Sequence, residues 1–253
     1  MSLYGKSQPM SSSLAVGFDF DHTLGLDHQI ERTVALAMLA DFARDQGVRY
    51  DIADAEGAID GVLERYRSGD LSVETAIAGF FERFVPVGNS IADRASDFRD
   101  AVVARVPEFV RARPETEALL ATLDAMGVRY ALLTNGWSPL QEEKGRLIGF
   151  RGPVYVSERI GVRKPHPDAF ALLAKHFEVP VNELWYVGDD PHGDIAGAAA
   201  LGITTVWYEE AGASFPEDLT RPKHTIRSLA ELPDILQAAL DQGRHDEATN
   251  LAG

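Results

Sequence analysis

Two carboxylates, Asp19 and Asp21, stand one residue apart where the apolar run of LAVGFDFDHTLGLDH (residues 14–28) gives out, followed at once by a histidine and a threonine. On an extended strand Phe18 and Phe20 point to one face while Asp19 and Asp21 share the other. Neighbouring carboxylates repel, so the pair makes sense around something positive. Later apolar runs also stop in polar groups. Thr134, Asn135 and Gly136 follow YALL, Lys164 lies in GVRKPHP after PVYVS, and Asp189, Asp190 and Asp194 lie in GDDPHGD after LWYV.

The chemistry open to this set is narrow. The carboxylates of Asp19 and Asp189, with the backbone carbonyl of Asp21, are hard oxygen donors suited to Mg²⁺. A phosphate monoester completing that coordination would turn its phosphorus to Asp19, and attack would give an aspartyl-phosphate. Asp21 can protonate the departing alkoxide and then take a proton from the water that hydrolyses the intermediate. Thr134, the backbone N–H groups from Asn135 onward and Lys164 would hold the transferring oxygens, and Gly136 lets the backbone come close. Thr23 and Asp190 stand beside these groups as supporting residues. Asp194 reads either as a helix cap or as a support for the site. His22 reads as a polar neighbour of the nucleophile turn. Trp137 either lines the substrate entrance or packs beneath a covering element.

Such groups work together only if the strands that carry them end in one place. From Pro114 onward helical and strand patterns alternate: PETEALLATLDAMG before VRYALLT, SPLQEEKGRLIGF before PVYVS, PDAFALLAKHFEV before LWYVG, DIAGAAALG before ITTVWY. That alternation predicts an α/β fold, a doubly wound parallel sheet with helices on both faces, whose ligands sit beyond the carboxyl ends of the strands. Residues 25–110 instead show helical periodicity, in segments opening at Asp51, Ser72 and Ser90 and closing at Gly47, Gly69 and Pro86. They predict an inserted helical domain, with the core split between 14–24 and 111–240. Residues 1–13 and 241–253 read as flexible termini.

Composition sets the outer limits. The 253 residues carry a net charge of −15, which argues against nucleic acid or an anionic membrane as partner and leaves a small phosphorylated ligand possible. No apolar run is long enough to span a membrane and no secretory signal is visible, so a cytoplasmic protein is expected. The absence of cysteine removes disulfides, thiolate nucleophiles and Cys-bound zinc. Oligomeric state is not legible.

The ordered segments DFDHT, LLTNG, RKPHPDAF and VGDDPHGDIAGAAALG resemble the motifs of the haloacid dehalogenase superfamily, and the resemblance runs from about residue 14 to 240. It implies Asp19 as nucleophile, Asp21 as acid/base, Thr134 and Lys164 as the phosphate-binding pair, and Asp189 as the acidic metal ligand. Asp194 matches the second acidic position of the fourth motif, which supports the metal waters or the lysine. The resemblance also implies that the helical insertion is a C1-type cap closing over the substrate. In RARPETEALL the chain departs from the Pro-Gly of many relatives, a change expected to touch only a turn. Dehalogenating members lack a carboxylic acid at the position of Asp21, and phosphonate-cleaving members add a cap lysine, which residues 26–113 lack. Phosphate ester hydrolysis is therefore the expected reaction. A sugar phosphomutase of the same superfamily is the alternative, and a receiver-type phospho-accepting module a more distant one.

Overall fold

The computed structural model describes residues 14–85 and 91–251; the expectations for residues 1–13, for a helix end at Pro86, for a helix start at Ser90 and for residues 252–253 lie outside them. Its strands are β1 (Ala15–Phe18), β2 (Gly25–Asp27), β3 (Val110–Ala112), β4 (Arg129–Thr134), β5 (Val154–Val156), β6 (Leu184–Gly188), β7 (Thr204–Tyr208) and β8 (His224–Ile226). Six of them form a parallel sheet in the order β5-β4-β1-β6-β7-β8, and β2 pairs antiparallel with β3 in a separate ribbon. The strand order turns back between β1 and β6, which is where a sheet of this kind opens a crevice.

Alternate residues of each strand serve different faces. Val16, Phe18, Leu132 and Val187 pack with Leu119 and Leu123 of α5 (Thr116–Met126) and with Leu232 and Leu236 of α10 (Leu232–Leu251). Ala15, Leu133 and Tyr186 pack with Phe170, Leu173 and Phe177 of α8 (Pro167–Phe177). Both faces are covered, so the strands are apolar throughout rather than alternating. Phe20 joins the face of Phe18, as the strand period predicts.

Between β2 and β3 run α1 (Ile30–Gln46), α2 (Ile52–Ser68), α3 (Val73–Phe84) and α4 (Ile91–Phe109). Asp51 and Ser72 open α2 and α3 by accepting the N–H groups of Asp54 at 2.8 Å and Thr75 at 3.2 Å. The four helices bury Leu39, Ile59, Phe80, Phe81 and Phe98 among themselves. Tyr130 and Phe150 meet edge to face where β4 passes α6 (Leu140–Leu147).

The structure departs from the sequence reading in three places. The ribbon β2–β3 is not foreseen, because three residues are too few to show a strand period. The helix expected to start at Asp194 begins instead as a π-helical turn, Pro191–Ala196, leading into α9 (Gly197–Ala199). And α10 continues to Leu251 where a frayed tail is expected from 241; Asp241 accepts from Gln237 and Arg244, one turn to either side.

Candidate active site

Beyond β1 the chain folds on the carbonyl of Phe20, which accepts the N–H groups of Thr23, Leu24 and Gly25 at 3.2, 3.0 and 3.0 Å. His22 takes a left-handed conformation in this turn (φ 64°) and faces out, its ring 3.4 Å from Glu210. It lines the cleft mouth beside the carboxylates. The turn sends Asp19 and Asp21 to opposite walls of one cleft of about 540 Å³.

On the Asp19 wall, Lys164 Nζ lies 2.5 Å from Asp19 Oδ1, 2.7 Å from Asp194 Oδ1 and 3.0 Å from the Tyr186 hydroxyl, which in turn donates to the Leu133 carbonyl. Asn135 clamps the lysine's backbone: its Oδ1 accepts the Lys164 N–H and its Nδ2 donates to the Lys164 carbonyl, both at 2.9 Å. The Asn135 side chain is thus engaged with Lys164, which leaves any ligand contact to its backbone. Thr134 ends β4 at the floor of the same cleft.

Across the strand-order reversal, Thr23 Oγ1 donates to Asp189 Oδ1 at 3.1 Å, and Trp207 Nε1 donates to the Asp189 carbonyl at 2.8 Å. Asp190 is the residue that caps the π-helical turn, accepting the His192 N–H at 2.9 Å. Asp194 is therefore free for the site, one oxygen on Lys164 and the other accepting the Asp190 N–H at 3.1 Å. Gly188 makes room for it, since a Cβ there would fall 2.3 Å from Asp194 Oδ2.

The electrostatics follow from burial. Asp19, Lys164 and Asp194 are 8%, 7% and 1% exposed. Oxygens of Asp19, Asp189 and Asp194 all lie within 4.8 Å of one another. Burial raises the Asp189 carboxyl to about 7, helped by the charge of Asp19 and opposed by His22 and by the Thr23 hydrogen bond. Burial raises Asp19 and Asp194 as well, against the pull of Lys164. Burial disfavours the ammonium of Lys164 too, but Asp19 and Asp194 outweigh it and keep the amine protonated. One ammonium cannot neutralise three carboxylates, and the donor set is all hard oxygen. The cluster therefore fits a divalent cation such as Mg²⁺.

The opposite wall holds groups that the sequence reading missed. Lys144 on α6 reaches Asp21 at 3.0 and 3.2 Å and Asp27 at 2.7 Å, and Gln141 lies one turn before it. Gly136 opens space for this wall, because a Cβ on it would stand 2.6 Å from the Gln141 side chain. Trp137 is fully buried and packs beneath the helices, donating to Glu31 Oε1 on α1 at 2.7 Å. Glu31, Tyr66 and Arg67 close the cleft above. A clue to Lys144 was present: the chain has five lysines among 24 basic residues, so a lysine on an apolar helix face is unusual.

The model of haloacid dehalogenase-like hydrolases matches residues 14–202. The phosphoserine phosphatase of Thermus thermophilus is 30% identical over 223 residues, covering 76% of this chain and 86% of that protein. A glyceraldehyde 3-phosphate phosphatase of Methanocaldococcus jannaschii is 35% identical over 132 residues, 51% of this chain and 58% of that protein. The crystal structure of a 2-haloacid dehalogenase from Pseudomonas syringae shares the fold with a TM-score of 0.70 at 23% identity, covering 89% of this chain and 98% of that one. The matched residues include every strand end that faces the cleft, from Asp19 to Asp194, and the chain belongs to the haloacid dehalogenase-like hydrolases.

Proposed function

We propose that the protein is a Mg²⁺-dependent phosphatase that hydrolyses a small organic phosphate monoester through an aspartyl-phosphate on Asp19. The observation that carries this reading is that the two carboxylates of one turn are held apart, each by its own buried lysine. Separate environments suit separate roles, one nucleophile and one acid/base. The two relatives matched by sequence above are phosphatases, which favours a phosphate ester over a halide; the Pseudomonas syringae dehalogenase, at 23% identity, shares the fold alone.

Asp19, Asp189 and the backbone carbonyl of Asp21 would hold the cation, with Asp194 beside them. Bound there, Mg²⁺ offsets negative charge on the phosphoryl oxygens and between the carboxylates. Lys164 and Thr134 with the backbone after it take the remaining oxygens and set the phosphorus in line with Asp19. A bond forms from the Asp19 carboxylate to phosphorus as the ester P–O bond breaks, and Asp21 gives its proton to the leaving oxygen. Water then attacks phosphorus, loses its proton to Asp21 and releases Asp19 and inorganic phosphate. Gly193 and Asp190 border the phosphoryl end. The helices α1–α4, within residues 25–110, serve as a cap whose Gln29, Glu31, Tyr66 and Arg67 face the leaving group. No helix among the described residues is long and apolar enough to cross a membrane.

A phosphate-release screen over metabolite phosphates with Mg²⁺ tests the reading. Asp19→Asn should reduce turnover of every active ester by about 10⁴-fold or more with the fold intact. Substantial residual turnover would remove Asp19 as nucleophile, and transfer to a second hydroxyl in place of phosphate release would favour a phosphomutase.

A further inference from the structure

The leaving-group wall contains a buried ammonium for which the mechanism above has no role. Lys144 is 3% exposed, and its Nζ bonds both carboxylate oxygens of Asp21 at 3.0 and 3.2 Å. Gln141, on the same helix face, donates Nε2 to Asp21 Oδ2 at 3.4 Å. Among the described residues no other side chain bonds that carboxylate. Asp27 engages both of its own oxygens: Oδ1 accepts the Ile30 N–H at the start of α1 at 3.0 Å, and Oδ2 meets Lys144 at 2.7 Å. An unbroken line of bonds therefore runs from the first turn of α1, through Asp27 on β2 and Lys144 on α6, to Asp21.

We propose that Lys144 is the positioning residue for Asp21, aiming its carboxylate at the leaving-group oxygen, and that Asp27 lets it do so only while β2 and the start of α1 sit against the core. The proposal rests on the phosphatase reading above. A carboxylate on a short side chain has several rotamers, and proton transfer needs one of them within hydrogen-bond reach of the ester oxygen. Two donors from one rigid helix select that rotamer. The second carboxylate keeps Lys144 in place: burial works against its charge, and Asp21 with Asp27 restores it. Lys144 touches neither phosphorus nor the metal cluster, so its loss should appear in the step that needs Asp21 and not in phosphate binding.

Leaving groups separate the two. Phenyl phosphate and p-nitrophenyl phosphate have nearly one shape, but only the phenolate of the first depends strongly on a proton from Asp21. In Lys144→Met, kcat/KM for phenyl phosphate should fall by about 10²-fold, within the range that acid catalysis supplies, and that for p-nitrophenyl phosphate by less than about tenfold. Inhibition by inorganic phosphate should stay at its original concentration, and Lys144→Arg should recover part of the loss. Equal losses on both esters, or none, would overturn the proposal. If Lys144→Met does not fold, Asp27→Asn, whose amide oxygen can still accept the Ile30 N–H, and Gln141→Met should shift the same ratio by a smaller factor. An unchanged ratio in both overturns it equally. A wild-type protein that releases phosphate from neither ester nor from any metabolite phosphate of the screen would remove the phosphatase reading itself, a result distinct from a normal enzyme whose ratio ignores Lys144.

Discussion

Lys164 and Lys144 are both buried and each meets two carboxylates, yet their surroundings differ. Asp19, Asp194 and Tyr186, the partners of Lys164, all belong to the sheet or to loops leaving its strands. Lys144 instead joins Asp21 of the first loop to Asp27 of the ribbon that leads into the helices. The Lys164 wall is therefore built only by the sheet and the loops leaving its strands. The leaving-group wall is shared between core and insertion, and it is complete only when both are in place. In a family whose members differ in what they release, that division puts the constant part of the chemistry on the constant part of the fold.

Removing Lys164 should break its wall most severely. In Lys164→Met, Asp19 and Asp194 would remain buried at 8% and 1% exposure without their cation. Removal of one partner from a buried ion pair typically costs about 3–5 kcal/mol, and phosphate would lose a binding charge as well. Thermal unfolding and aryl phosphatase assays should both show large losses. A variant as stable as the parent would mean that the cluster is already neutral without the lysine.

A smaller and more diagnostic effect concerns the metal cluster. The Asp189 carboxyl, raised to about 7 by burial, lies above its ordinary 3.8. The folded protein thus holds a proton that the unfolded chain has lost between about pH 4 and 7, so the metal-free protein loses stability as pH rises through that window. On the proposed reading Mg²⁺ would bind the ionised form. Its stabilising shift in melting temperature should be small near pH 5.5, grow to about pH 7 and then level off. Thr23→Val, which deletes the hydroxyl bonded to Asp189 Oδ1, should weaken Mg²⁺ binding about 10-fold or more and, because that hydrogen bond holds the carboxyl down, move the same trend to higher pH. A Mg²⁺ shift independent of pH would detach the cation from these carboxylates.

The same contrast governs what the sequence discloses. Most of the Lys164 wall was legible because Asp19, Thr134 and Asp189 stand at strand ends and parallel strands must end together; Lys164, which the short helix Ser157–Ile160 separates from β5, meets them in one cleft. Asp194 was ambiguous from sequence, since Asp190 and Asp194 both stand where a cap would serve; the π-helical turn assigns the cap to Asp190. The leaving-group wall was not legible. Lys144 and Gln141 lie inside an amphipathic helix, Asp27 in a ribbon of three-residue strands, and Glu31 on the first turn of α1, so their meeting depends on how the insertion folds back. Local periodicity carries no information about that contact.

The smallest effect should come from the seam between the walls. Trp137 immediately follows the Thr134–Gly136 turn, yet its indole N–H goes to Glu31 on α1 and Arg99 of α4 lies over its ring at 4.7 Å. In Trp137→Phe the ring still fills most of the space, but Glu31 loses a donor. Glu31 is half-buried and its carboxyl is raised by burial, with Lys144 and this hydrogen bond opposing. Partial access to water keeps the cost near about 1 kcal/mol, at the low end for an unpaired polar group. Because neither Asp19 nor Lys164 touches the indole, hydrolysis of p-nitrophenyl phosphate should keep its kcat, while KM for substrates with larger leaving groups should rise. A fall in kcat comparable to that of Lys164→Met would mean that the insertion also sets the Lys164 wall, and the distinction between the two sides of the cleft would have to be abandoned.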